Sequence, residues 1–363
     1  MEKKTPLYAW HEAHGGKIVP FAGYLLPVQY EQGVIAEHEA VRNRCGIFDV
    51  SHMGEFIITG QDALKNLQHI LTNNISYMPV GRVRYTLMCN DTGGVVDDLV
   101  VCNMNGNAAG RYLLVVNAAN REKDAVWIRS HLEGSVQFED VSDSMAQIAL
   151  QGPLSERILA RLADPSSIPS LYYTLIENGK VGGIPCIVSR TGYTGEQGFE
   201  LYCAPDDAVP LWEKLLNAGK DDGLTPCGLG SRDTLRLEAA MPLYGHEMSD
   251  DITPFEAGLS FAIKMEKPDF IGKQSLIGRE TPARIRTGLR VIGRGISRGG
   301  EDVFVDGVVI GKTTSGSFSP HLKEAIAMAL VQREYTADGR KVEIDIRGRR
   351  IEAVVTVLPF YKR

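Results

Sequence analysis

The chain reads as an α+β protein of two or three domains that closes with an all-β domain. Three observations predict this. At 363 residues it exceeds what one ordinary core organises. Up to about residue 240, short strands alternate with amphipathic helices in two successive runs, the pattern of sheets backed by helices. From Gly288 onward only short strands remain, parted by Gly, Asp and Ser, which predicts a barrel or a sandwich.

In the first run, residues 34–44 have helical spacing and stop near Gly46, and 47–50 and 55–59 follow as strands. Residues 62–71 return to the helical period, 84–89, 95–103 and 111–116 read as strands, and 120–132 as a helix. The second run has a strand at 146–151, a helix at 154–162, strands at 184–190 and 199–203, and a helix at 208–218. A short helix is expected at 231–240, with Ser231 as its N-cap and Asp233 near the positive end of its dipole. The last domain takes its strands from 288–292, 308–314, 326–331, 342–346 and 351–357.

Composition narrows the ligand. With 39 basic against 45 acidic residues, a net charge of -6 and no long Lys/Arg run, a nucleic-acid groove is not suggested, so the ligand should be small or a protein. The six cysteines (Cys45, Cys89, Cys102, Cys186, Cys203, Cys227) include no C-x-x-C pair, which argues against a zinc cage or a redox dithiol and suits free thiols in a reducing cytosol. The opening residues lack a signal-peptide core, and no apolar stretch reaches the roughly 18 residues needed to span a bilayer. A cytoplasmic protein is expected, neither secreted nor inserted in a membrane.

Several standard chemistries lack their residues. There is no G-x-x-x-x-G-K-[ST] phosphate loop, no His-Glu-x-x-His helix and no G-x-G-x-x-G turn after a strand, and Gly295-Ile296-Ser297-Arg298-Gly299 matches G-x-S-x-G without the helix that makes an elbow. The glycine-rich stretch 293–300 has no helix behind it and reads as a loop. Gly228-Leu229-Gly230-Ser231-Arg232 precedes a helix and reads either as a plain helix start or as backbone N–H groups offered to an anion. His52 and His246 have no second ligand at metal spacing and read as structural histidines.

Two acids in apolar company remain. Asp97 and Asp98 open the strand Val95-Val96-Asp97-Asp98-Leu99-Val100-Val101, and a carboxylate leading into a buried run is costly without a partner. Strand alternation turns them to opposite faces, so only one can share the face of Val96 and Val100, and one acid is expected in solvent and the other inward. Otherwise both serve the turn at Asp91-Thr92-Gly93-Gly94. Glu200 lies between Phe199 and Leu201, after a segment punctuated by Gly192, Gly195 and Gly198. It is either an exposed edge-strand residue or a bidentate acceptor for a flat heterocycle such as an aminopyrimidine. Tyr85, Tyr172 and Tyr173 offer stacking faces or plain packing.

Taken in order, Phe48-Asp49-Val50-Ser51-His52-Met53-Gly54-Glu55, the Gly93 to Val101 segment, Val116-Asn117-Ala118-Ala119-Asn120, Arg190-Thr191-Gly192-Tyr193-Thr194-Gly195-Glu196, Ser231-Arg232-Asp233-Thr234-Leu235-Arg236-Leu237-Glu238 and Thr313-Thr314-Ser315-Gly316-Ser317-Phe318-Ser319-Pro320 closely resemble the aminomethyltransferase, or T-protein, family of the glycine cleavage system. The resemblance implies a three-domain cloverleaf around a central folate channel, with two ferredoxin-like α+β units and a C-terminal barrel or jelly-roll-like β domain. Residues 1–50 and 140–280 should then form one discontinuous folate-binding domain enclosing 51–139, which carries the catalytic Asp, with 281–363 as the β domain.

Position by position, Asp98 matches the carboxylate near the reacting folate nitrogens and Glu200 the pterin anchor. Arg232 matches an arginine beside the folate, toward either the pteridine or the glutamate tail, and Met53, Tyr85, Asn117, Tyr172 and Tyr193 match pocket-lining positions. Tyr361 falls in the loosest-matching tail, and Phe261 stands where several relatives carry Trp. The implied reaction moves a carbon from an aminomethyl group on the lipoyl arm of H protein to tetrahydrofolate, with no metal and no nucleotide. Folate N5 is the nucleophile, which accounts for the missing Ser or Cys triad. A folate-binding relative that assists iron–sulfur assembly is the alternative; the folate domain of a flavin oxidase is disfavoured because the chain has neither length nor motif for a flavin domain.

Overall fold

The structure is a computed structural model that describes residues 2–104 and 110–363. It divides into two compact units: residues up to Ile70 with Asn74–Thr86 and Asp98–Arg232, and Leu71–Asn73 with Leu87–Asp97 and Asp233–Arg363.

In the first unit, a six-stranded sheet runs in the order Leu175–Val181, Ile184–Ser189, Gly198–Cys203, Ala146–Gln151, Gly46–Asp49 and Thr225–Cys227. Neighbours are antiparallel except the last pair, which is parallel. Period-two alternation gives this sheet two different faces. Ile47, Ile148, Leu150, Phe199 and Leu201 point into an apolar core with Trp212 and Leu215 of the helix Ala208–Gly219. The register then gathers Gln147, Ala149, Glu200 and Tyr202 on the opposite face, because Ala149 pairs with Glu200 and Gln147 with Tyr202.

A five-stranded sheet runs in the order Val83–Cys89, Val95–Asn103, Arg111–Val116, Gly54–Thr59 and Gln137–Asp140. Its Ile57, Val100, Cys102, Leu113 and Val115 join Met145, Tyr173, Ile187 and Tyr202 of the first sheet region in one apolar cluster. The polar residues of the first sheet therefore lie at a sheet-to-sheet contact rather than in open solvent.

The second unit contains a closed antiparallel barrel in the order Arg284–Val291, Glu324–Gln332, Val308–Ser319, Asp302–Val305, Lys341–Ile346 and Arg349–Thr356. Inward residues such as Leu289, Val303, Ala327, Val331, Ile344 and Val355 fill it. Of barrel and sandwich, the chain adopts the barrel; closure leaves no unpaired strand edge. Residues 293–300 form a loop between its first two strands in sequence.

Several elements escape the hydrophobic pattern. Gln137–Asp140 is a short polar strand, Thr225–Cys227 has Pro at its centre, and Leu175–Val181 carries Glu-Asn-Gly and a register shift between Ile176 and Gly179. Near the N-terminus, the helix Tyr8–Ala13 and the paired strands Ile18–Phe21 and Tyr24–Pro27 are also unanticipated. The expected helix at 231–240 runs from Leu229 to Glu238, so Ser231 is not its N-cap but lies inside the first turn. All six cysteines are buried free thiols, and no helix among the described residues is long and apolar enough to cross a membrane.

Candidate functional site

The strand Val95–Asn103 pairs with Arg111–Val116 so that Leu99 faces Val116, and this register brings Asn117, just past the strand end, beside Asp98. Asn117 Nδ2 donates to Asp98 Oδ1 at 2.8 Å and to its main-chain oxygen at 3.2 Å. From the other side, the Tyr85 hydroxyl donates to Asp98 Oδ2 at 2.9 Å. Burial and the Asp98 charge hold the Tyr85 phenol well above its usual range, so it stays a donor. Each Asp98 oxygen thus receives one neutral donor, an arrangement suited to an ionised carboxylate on a half-buried surface.

The companion acid does not behave as expected. Asp97 is not in solvent: its side chain is at 0% exposure, while Asp98 is the more accessible of the two. The opposite face of this strand is itself an interior, since Leu99 and Val101, which share it with Asp97, are buried as well. The alternation of the pair was legible; the solvation of Asp97 was not.

Glu200 stands on the polar face of the first sheet. Its Oε2 accepts from the Thr191 hydroxyl and its Oε1 from Gln147 Nε2 at 3.2 Å, and Gln147 Nε2 also lies 3.2 Å from the Tyr202 hydroxyl. Burial raises the Glu200 carboxyl above its ordinary value, against the lowering effects of Thr191, the Arg232 charge and Gln147. Gln147 Oε1 finds no partner among the described residues. The buried Gln147 amide oxygen and the Glu200 carboxylate thus lie together on this face as a pair of acceptors.

The Arg232 guanidinium sits 4.9 Å over the Tyr193 ring. Burial first, with the Arg232 charge adding, pushes His52 down to about 4, so that imidazole is neutral at physiological pH. His52 packs edge-on to Phe21 and Tyr24, the surroundings of a structural histidine. Tyr193 belongs to the loop after Arg190, which wraps the buried Gln151: Gln151 Nε2 donates to the oxygens of Thr191 and Phe199, and Thr194 Oγ1 donates back to Gln151 Oε1 at 2.9 Å. A Cβ on Gly192 would sit 1.9 Å from Gln151 Oε1, which explains the glycine there.

Met53 packs against the inter-sheet cluster together with Tyr173. Of the tyrosine pair, Tyr172 is 43% exposed and meets Tyr173 edge-on, whereas Tyr173 is the one turned inward. Tyr173 takes a positive φ of 58° and feels the charges of Glu200 and Asp98. That main-chain twist leaves no mark in a Tyr-Tyr dipeptide. Thr191 and Gln147 were missed as well, since both read as ordinary strand or loop residues. Glu55 is a further omission: it is fully buried, neither carboxyl oxygen has a partner among the described residues, and burial first, with Glu200 adding, lifts it well above the usual carboxyl range.

In the second unit, Tyr361 donates its main-chain N–H to the Glu238 oxygen and stands edge-on to His321. Phe261 is 62% exposed, and His246 is exposed with Nδ1 3.0 Å from the Thr314 oxygen. Among the described residues, no group of three His, Cys, Asp or Glu side chains is placed to hold a metal ion.

Comparison with known proteins agrees with this picture. The family model described as the GCVT N-terminal domain matches residues 7–267, and the glycine cleavage T-protein C-terminal barrel domain matches 284–362. The chain is 50% identical to an aminomethyltransferase of Geobacillus sp. (strain WCH70), with 100% of each chain covered. It is 49% identical to an aminomethyltransferase of Caldanaerobacter subterraneus, covering 99% of this chain and 96% of that one. The crystal structure of the glycine cleavage system aminomethyltransferase T from Bartonella henselae superposes with a TM-score of 0.91 at 32% identity, covering 100% and 99% of the two chains. Fold and relatives thus define a group-transfer enzyme. The chain belongs to the aminomethyltransferase family, the T proteins of the glycine cleavage system.

Proposed function

We propose that the protein moves the methylene carbon of an aminomethyl group from the lipoyl arm of H protein to tetrahydrofolate, giving 5,10-methylenetetrahydrofolate, ammonia and dihydrolipoyl H protein. The carrying observation is Asp98, a carboxylate fixed by Tyr85 and Asn117. Such a group does not attack the carbon; it stabilises positive charge. As folate N5 takes the carbon and the bonds to ammonia and sulfur break, an iminium appears, and the Asp98 charge lowers its energy. The leaving nitrogen and sulfur take up the two protons that the folate nitrogens lose, so the exchange balances.

Glu200 anchors the pterin in this reading, its carboxylate and the Gln147 amide oxygen accepting from the N–H groups of the aminopyrimidine. Arg232 supplies a cation near that anchor, and Tyr193, Met53 and Tyr172 line the site, with Tyr361 assigned from the resemblance alone. The pairing of Gly46–Asp49 with Ala146–Gln151 supports reading 1–50 and 140–280 as one domain enclosing 51–139, followed by 281–363. Free buried thiols support a cytosolic location.

Incubation with tetrahydrofolate and aminomethylated H protein tests the proposal, following ammonia and methylenetetrahydrofolate together. Equimolar release of both is expected. Folate binding without turnover would instead identify a folate-binding accessory protein.

A further inference from the structure

The helix that carries Arg232 is anchored by a buried carboxylate on a distant segment. Glu37, in the helix Gly33–Asn43, is at 0% exposure. Its Oε2 accepts from the Gly228 N–H and the Ser231 hydroxyl, each at 2.9 Å, and its Oε1 accepts from the Tyr30 N–H at 2.6 Å. The anion that the Gly228 to Arg232 segment invites is therefore internal. Gly228 reaches Glu37 by threading against the chain, since a Cβ there would come within 2.5 Å of the Val28 carbonyl. Arg232 follows immediately, its N–H closing the first helical hydrogen bond to the Gly228 oxygen at 3.1 Å. One end of this bond and the residue before Arg232 are both held by the same carboxylate.

Resting on the reading of Arg232 as a folate-site cation, we propose that Glu37 is a positioning residue: by fixing Gly228 and Ser231 it sets the register and direction from which Arg232 reaches over Tyr193 toward the folate. Glu37 does not touch the reactants. A fixed helix start matters because a guanidinium on a long side chain is useful only when its root is immobile. Glutamine at 37 would turn an amide N–H₂ against main-chain N–H donors and loosen the root while keeping the side-chain volume.

The test is a double-mutant cycle on the intact enzyme with tetrahydrofolate and aminomethylated H protein. Glu37→Gln, Arg232→Met and the double variant are compared by folate KM, kcat and thermal melting. Glu37→Gln should raise folate KM by about tenfold with a smaller change in kcat, the loss expected when a charged hydrogen-bonding pair is broken. In the Arg232→Met background it should raise KM no further. A KM rise of the same size in both backgrounds would overturn the positioning role, because Glu37 would then act on the fold alone. If Arg232→Met raises KM and Glu37→Gln does not, positioning fails while the folate reading stands. An unchanged KM in Arg232→Met removes the folate reading itself, and positioning with it. Should Glu37→Gln melt below the assay temperature, Ser231→Ala, which deletes one of the three bonds, carries the same comparison.

Discussion

Asp98 and Glu200 are both carboxylates between two sheets, yet their surroundings assign them different work. Asp98 accepts from two neutral donors, the Tyr85 phenol and the Asn117 amide, and in the proposed reaction its charge serves the cation that forms. Asp98→Asn should leave folate affinity nearly unchanged and lower kcat by on the order of 10²-fold, read by steady-state kinetics; near-wild-type turnover would remove Asp98 from the chemistry. Glu200→Ala should instead weaken folate binding, by roughly 10- to 100-fold in calorimetry, since a charged acceptor of paired N–H groups is lost. The pH dependence has a definite sign. Burial raises the Glu200 carboxyl, and anchoring needs the ionised form, so folate affinity should fall as pH drops through that raised value. Affinity that rose on acidification would contradict a carboxylate anchor. At this scale the acids at 97, 98 and 200 stood out because a carboxylate beside Val, Phe and Leu breaks the pattern, while the choice of Asp98 and the candidacy of Arg232 came from the family resemblance. Thr191, Gln147 and Tyr173 break no pattern, and only the register and a positive φ turn them toward Glu200 and Asp98.

Among the elements, strands rich in apolar residues were legible and short polar or proline-bearing ones were not. Val95–Asn103, Arg111–Val116 and Ala146–Gln151 were found with their bounds, while Gln137–Asp140 and Thr225–Cys227 were hidden by charge and proline. Helix starts depended on partners far along the chain: Ser231 looks like a cap locally, but its hydroxyl is committed to Glu37 and the helix begins at Leu229. The loop from Arg190 to Gly198 is likewise shaped by a residue outside it. Gln151 fills the space beside Gly192, so Gly192→Ala must displace that amide or the loop. We expect Gly192→Ala to lower stability by about 1–3 kcal/mol in denaturant unfolding and to weaken folate binding through Tyr193. A variant as stable as the parent would show that Gln151 yields readily.

For the molecule as a whole, acid sensitivity should trace to Asp49, which ties the N-terminal segment to the first sheet. Its Oδ2 accepts from the Thr5 hydroxyl at 2.7 Å and lies 2.9 Å from His11 Nε2, and its Oδ1 accepts from the Ser51 N–H at 3.0 Å. Burial pushes the Asp49 carboxyl up, but the His11 hydrogen bond and charge, with Thr5 and Ser51, carry it below its ordinary value. The unfolded chain therefore binds this proton more readily. The contribution to stability is complete above the ordinary carboxyl range and is lost as pH falls through the lowered value. Asp49→Asn should cost about 3–5 kcal/mol at neutral pH and flatten the acid limb of a stability profile measured by urea unfolding. An unchanged acid limb would place the sensitivity elsewhere. By itself the sequence determined the α+β character, the C-terminal β domain and the family, because periodicity and ordered motifs are properties of the chain; it offered Asp98 and Glu200 as site candidates through the family resemblance. Tertiary structure decided that Asp97 is buried, that Tyr173 turns inward, that the β domain closes as a barrel and that Glu37 holds the start of the Arg232 helix. Each of those depends on what packs against a residue from elsewhere in the chain, and local spacing carries no record of it.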